Sequence, residues 1–131
     1  MATETTIPAI EISDEVKQSL LSENVEEGQV VVHVSFSSPT GGDLIRIWPT
    51  TFLVPQEGGE KSKLVTKQNI SLAPYWTIIK RKGLFRFTLV FSPLPKSCNL
   101  FHLWEDIPQP GGFIIRNIRR NDMDVYEVEL K

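Results

Sequence analysis

Four strand-like runs separated by turn chemistry fill residues 83–131, and they constrain the fold more than any other part of the chain. In the first, residues 84–91, Phe85, Phe87, Leu89 and Phe91 alternate with Arg86 and Thr88, the two-residue period of a half-buried strand. Four large apolar groups on one face require something to pack against, here Val30, Val32, Val34 and Phe36 or Tyr126, Val128 and Leu130. Ser92-Pro93-Leu94-Pro95 ends the run, because two prolines remove backbone donors from any ladder. Runs over 98–105, 113–119 and 125–130 follow, with Ile107-Pro108-Gln109-Pro110-Gly111-Gly112 between the first two of them.

Upstream, Val30, Val32, Val34 and Phe36 alternate through a β-branched run that favours a strand. Residues 43–54 read as a strand interrupted at Pro49, residues 56–63 as a polar glycine-containing loop, and residues 64–79 as two short strands around a kink at Pro74. Ser13-Asp14-Glu15 ahead of Val16, Leu20 and Leu21 has the form of a helix start, which gives residues 1–24 as an N-terminal arm with a short helix and residues 25–131 as the domain. Seven to eight short strands with turn clusters between them give an all-β fold, an antiparallel β-sandwich. The prolines at 49, 74, 93 and 95 read as edge protection, which favours a sandwich over a closed barrel.

Three phrases occur together: Ile45-Arg46-Ile47-Trp48-Pro49-Thr50-Thr51-Phe52-Leu53, Ile70-Ser71-Leu72-Ala73-Pro74-Tyr75-Trp76, and Phe87-Thr88-Leu89-Val90-Phe91 with Leu94-Pro95-Lys96-Ser97-Cys98. With residues 101–105, Pro110-Gly111-Gly112-Phe113 and Asn117-Ile118, the chain resembles a group of uncharacterised bacterial proteins with an immunoglobulin-like sandwich. The resemblance spans roughly residues 30–130 and implies a fold, an immunoglobulin-like arrangement of the strands, and no activity.

Charge and cysteine content bound the function. Net charge is −2, with 14 basic and 16 acidic residues, which gives no reason to expect a nucleic-acid or membrane partner. One cysteine, Cys98, excludes an internal disulfide and fits a reducing compartment, and the N-terminus has no leader-like apolar run, so the cytoplasm is expected.

No motif completes a catalytic constellation. Cys98 and His102 share a strand face, but zinc needs three or four ligands and His33 is the only other histidine, so neither a metal nor a cofactor is expected. Glu105 and Asp106 are adjacent on a strand and point to opposite faces, which suits a carboxylate bonded to backbone amides or to Arg116, Arg119 or Arg120 better than an acid–base pair. Asp43, Asp122 and Asp124 read as turn residues. The Gly41-Gly42, Gly58-Gly59 and Gly111-Gly112 pairs precede no phosphate-binding helix. Lys80-Arg81-Lys82 lies near aromatic residues in sequence, but Phe85 and Phe87 belong to the core.

The expectation is therefore a non-enzymatic interaction or accessory module with a protein partner. The alternative is a small-ligand or carbohydrate binder that uses exposed tryptophans and the 56–63 loop. Candidate surface residues are Trp48, Trp76 and Trp104, with burial expected for at least two of the three, together with Ile114, Arg116, Ile118, Arg119 and Arg120. Strict alternation would place Ile114, Arg116 and Ile118 on one outward face, an apolar patch with a charge at its centre, either open to a partner or covered by the N-terminal helix.

Overall fold

The computed structural model describes residues 28–130. The expected N-terminal helix, and any cover it provides, lies outside them. Among the described residues nine strands form in chain order: β1 (Val30–Ser38), β2 (Leu44–Ile45), β3 (Thr51–Pro55), β4 (Ser62–Gln68), β5 (Thr77–Ile78), β6 (Gly83–Phe91), β7 (Leu100–Glu105), β8 (Ile114–Arg119) and β9 (Val125–Leu130). Among the described residues the protein is all-β with no helix. No helix there is long and apolar enough to cross a membrane.

Seven strands form one sheet in the order β8-β7-β3-β4-β6-β1-β9, and β2 and β5 pair separately. The pairings between these strands are antiparallel except that of β9 with β1, and an isolated bridge between Ile47 and Leu72 is also parallel. The halves of the large sheet meet through β4, which pairs with β3 at Ser62 and Lys63 and with β6 from Leu64 onward, with a register shift between Leu64 and Thr66. A strand that changes partners through a bulge forms a corner, and the sheet turns there onto itself.

The sequence requires that curvature. β8 and β9 are the two edges of the sheet, yet only residues 120–124 join them. Six flat inter-strand spacings would separate those edges by roughly 29 Å, whereas the connector reaches at most roughly 22 Å fully extended. A nearly closed sheet satisfies both. Across its interior, the rings of Phe101 on β7 and Tyr126 on β9 meet edge to face with centroids 5.0 Å apart.

The alternation of residues 84–91 has the expected buried face: Phe87, Leu89 and Phe91 are buried and Phe85 packs partly against them. Their partners lie beside them in the same sheet, in the rows Leu89–Val32–Tyr126 and Phe87–Val34–Val128. The core continues through Ile45, Ile47, Leu53, Ile70, Ile79, Leu94, Cys98, Phe101 and Leu103.

The residues between β8 and β9 lock the corner. Arg120 donates from Nε and Nη2 to the two carboxylate oxygens of Asp124, at 2.6 and 3.0 Å, and from Nη1 to the carbonyls of Pro95 at 2.8 Å and Cys98 at 3.1 Å. Asp124, at φ 55°, accepts a hydrogen bond from the Tyr126 hydroxyl at 2.8 Å, and its carbonyl accepts from the amide of Val31 at 2.9 Å. One guanidinium thus ties the β6–β7 connection to the turn that brings the two edges together.

Candidate functional site

The site is an apron formed by β2, β5 and the segments beside them. Residues 44–48 alternate: Ile45 and Ile47 are buried in the core, whereas Leu44 is exposed and Arg46 and Trp48 are half-buried on the other side. Leu44 pairs with Ile78, and Ile45 with Thr77. Below the pair, the amide of Ile47 donates to the carbonyl of Ser71 and the amide of Ala73 to that of Ile47, which brings Trp76 beside Arg46. The Thr77 hydroxyl accepts from the Ser71 amide at 2.9 Å and lies 2.8 Å from the Ser71 hydroxyl, closing the loop that carries Tyr75 and Trp76.

Two of the outward rings gather around Arg46. The Arg46 guanidinium carbon lies 3.8 Å from the Trp76 ring centroid and 5.4 Å from that of Trp48, and Nη1 donates to the Pro74 carbonyl at 3.1 Å. Trp76 remains 51% exposed and Tyr75 73%, with Leu44 and Ile78 exposed next to them. These four are half of the eight large hydrophobic residues exposed among those described.

Trp48 is fixed from beneath. Its amide donates to Glu105 Oε2 at 3.0 Å, and its carbonyl accepts from the Thr51 hydroxyl at 2.7 Å. Glu105 is only 6% exposed, and burial pushes its carboxyl up from the ordinary 4.5, against the opposing effects of the Trp48 and Phe113 amides and the Arg46 charge. Of the two roles the sequence suggests for Glu105, the structure shows the amide-bonded one. Gly112 lets the chain pass close to this strand, since a Cβ at that position would collide with the Glu105 carbonyl oxygen.

The other sequence candidates fall in different places. None of the three tryptophans is fully buried, contrary to the expected burial of two, because each occupies an outward position of its strand or loop. Trp48 and Trp76 come together around Arg46. Trp104 lies on the outer face of β7, level with Phe52 on β3 and Ile114 on β8. Ile114 is 41% exposed, whereas Ile118 is half-buried and packs against the core. The expected shared face fails because β8 bulges opposite His102: Leu103 pairs with Ile115 but Phe101 with Ile118, with Asn117 at φ 61° between them. The Asn117 amide donates to His102 Nδ1 at 3.1 Å. Arg116 and Arg119 are exposed, while Arg120 serves the corner lock.

Cys98 is buried, and burial followed by the charge of Glu57 pushes its thiol up, against the influence of Arg120. Among the described residues, no group of three or more His, Cys, Asp or Glu side chains is placed to hold a metal ion. A shallow groove on the outer face of β1, β6 and β9 is lined by His33, Ser35, Arg86, Glu127 and Glu129, with charges of both signs.

Trp48 and Trp76 are candidates in the sequence, whereas Leu44, Arg46, Tyr75 and Ile78 were missed, because an alternating run names an outward residue without naming what comes to rest on it. The available signal was Leu44, Arg46 and Trp48 in alternation immediately before a proline. Comparison with protein-family models, curated proteins and solved structures finds no match to this chain.

Proposed function

We propose that the protein is a non-enzymatic binding module that docks a protein partner on the apron of Leu44, Arg46, Trp48, Tyr75, Trp76 and Ile78. One observation carries this reading: Arg46 stacked on Trp76 amid exposed large hydrophobic side chains, on a base held by buried isoleucines and by the Glu105 carboxylate. Trp, Tyr and Arg dominate the energetic centres of protein interfaces, and the apron holds all three on a surface whose backbone is already fixed. Large hydrophobic side chains exposed together suit a protein partner.

The finer assignment belongs to the same reading. The fold is an immunoglobulin-like sandwich of the uncharacterised bacterial kind, supported by the corner at β4 that sets one half of the sheet against the other. Work in a reducing cytoplasm is supported by a single cysteine carried as a buried thiol. A second reading, a ligand or carbohydrate face, is favoured by Lys61 of the 56–63 loop reaching over the rings of Phe52 and Trp104.

Affinity capture from expressing cells tests the first reading with three baits: the native chain, Trp76→Ala and Arg46→Glu. The native chain retains a partner that both variants lose while melting at an unchanged temperature. The same proteins captured by all three baits would refute the apron as the contact surface.

A further inference from the structure

We infer that the outward face of β3, β7 and β8 binds single-stranded nucleic acid, with Phe52 and Trp104 as stacking platforms and Lys61, Lys63, Arg116 and Arg119 as phosphate contacts. The inference is independent of the apron. It rests on the ligand-face reading, which it deepens by naming the ligand class.

Register places Lys63 of β4, Phe52 of β3, Trp104 of β7 and Ile114 of β8 in one row. The row faces away from the core, because the alternate residues Leu53 and Leu103 are fully buried. Directly opposed on adjacent strands, Phe52 and Trp104 present two rings on the same face. Lys61 Nζ lies over it, 4.2 Å from the Phe52 centroid and 5.8 Å from that of Trp104. An exposed ammonium on a ring is a weak contact that a stacking base outcompetes, and the displaced lysine then has a phosphate within reach.

On the strands themselves the outward charges have one sign. The bulge after Ile115 leaves Arg116 exposed, and Arg119 is exposed opposite Leu100. Among the described residues, the outward positions of β3, β7 and β8 carry no carboxylate, since Glu105 points inward. Seven of the chain's 16 acids lie in residues 1–27, and the exposed acids Glu57, Glu60 and Asp106, close to the face in sequence, lie off its strands. The net charge of the whole chain therefore does not describe this surface.

Cations without carboxylates select an anion, and a two-ring platform selects planar groups. A single strand offers a phosphate and a base at every nucleotide, which a neutral or acidic sugar chain does not.

The test is fluorescence anisotropy of the full-length protein with labelled oligothymidylate and oligouridylate of about twelve nucleotides, a span several bases longer than the platform. Saturable binding is expected, with a slope of about −2.8 in log affinity against log salt for four phosphate contacts at roughly 0.7 each. Trp104→Leu and Phe52→Leu each weaken it about tenfold. Lys61→Glu, on an exposed loop where folding is not at stake, weakens it and flattens the slope by at least about 0.7. Trp76→Ala leaves it unchanged.

The inference is overturned if no saturable binding occurs at low salt, or if binding survives Trp104→Leu and Lys61→Glu intact. A parallel titration with neutral and uronate oligosaccharides separates the two readings. Sugar binding lost in Trp104→Leu, with no oligonucleotide binding, overturns the nucleic-acid inference and keeps the ligand face; binding of neither ligand removes both.

Discussion

Replacing Arg120 with leucine tests the corner lock. The substitution keeps much of the apolar stem and removes a guanidinium that satisfies Asp124 and the carbonyls of Pro95 and Cys98. The Arg120 and Asp124 side chains are 17% and 18% exposed, so the carboxylate left behind is largely cut off from water. Removing one partner of such a pair costs about 3 kcal/mol, at the low end of the range for buried pairs because some water reaches this one. For a single domain of this size, about 4 °C of melting temperature per kcal/mol gives a fall of roughly 12 °C. Urea unfolding followed by tryptophan fluorescence shows the same loss as a midpoint lower by about 2 M, at a slope of roughly 1.5 kcal/mol per molar. Asp124→Asn in the Arg120→Leu background recovers part of the loss, because it removes the uncompensated charge while keeping a residue tolerant of φ 55° and an acceptor for Tyr126. The double-mutant cycle should give a coupling of at least about 1 kcal/mol. A loss below that for Arg120→Leu, or an Asp124→Asn effect equal in both backgrounds, refutes the lock.

Three further predictions concern the core and the support of the apron. Phe87→Ala, at a buried position paired with Val34, costs about 3–5 kcal/mol in denaturant unfolding; a loss under about 1 kcal/mol would contradict the packing. Gly112→Ala forces a side chain against the Glu105 carbonyl and lowers the melting temperature, and the amide of Glu105, which donates to the Phe113 carbonyl, exchanges faster with solvent. Because its folded-state carboxyl is pushed up, Glu105 contributes stability that is fully present below its ordinary value of 4.5 and is lost as pH rises through the raised value. Urea midpoints measured across that interval should fall less steeply with pH in Glu105→Gln, and parallel profiles would show that burial does not hold the proton.

The strands that alternate against a single core face were legible, and the pairings were not. Phe85, Phe87, Leu89 and Phe91 declare a strand by period alone, and the structure places it at β6. A period of two carries neither partner nor direction, so nothing in Tyr126, Val128 and Leu130 told that β9 runs parallel to β1. The same limit hid the apron, since Leu44 and Ile78 meet from segments more than thirty residues apart. Ile118 was misplaced for another reason: extending strict alternation through residues 114–118 overlooks a bulge, and Asn117, a residue type that tolerates positive φ, was the one local sign of it. Reading charge over the whole chain sums seven acids of residues 1–27 with the exposed cations of β8 and gives no view of any one surface. Arg120 looked like a surface cation because no sequence pattern shows three backbone and side-chain partners converging on it from residues 95–124.

The most direct test of the apron as a docking surface is a photo-crosslinking amino acid placed at Tyr75, which is 73% exposed beside Trp76, with Lys67 on β4 as the control position. Irradiated in expressing cells, the Tyr75 probe is predicted to give one discrete protein adduct that disappears when Arg46→Glu is added, and the Lys67 probe none. No adduct at Tyr75, or the same adducts from both positions with or without Arg46, would contradict the account.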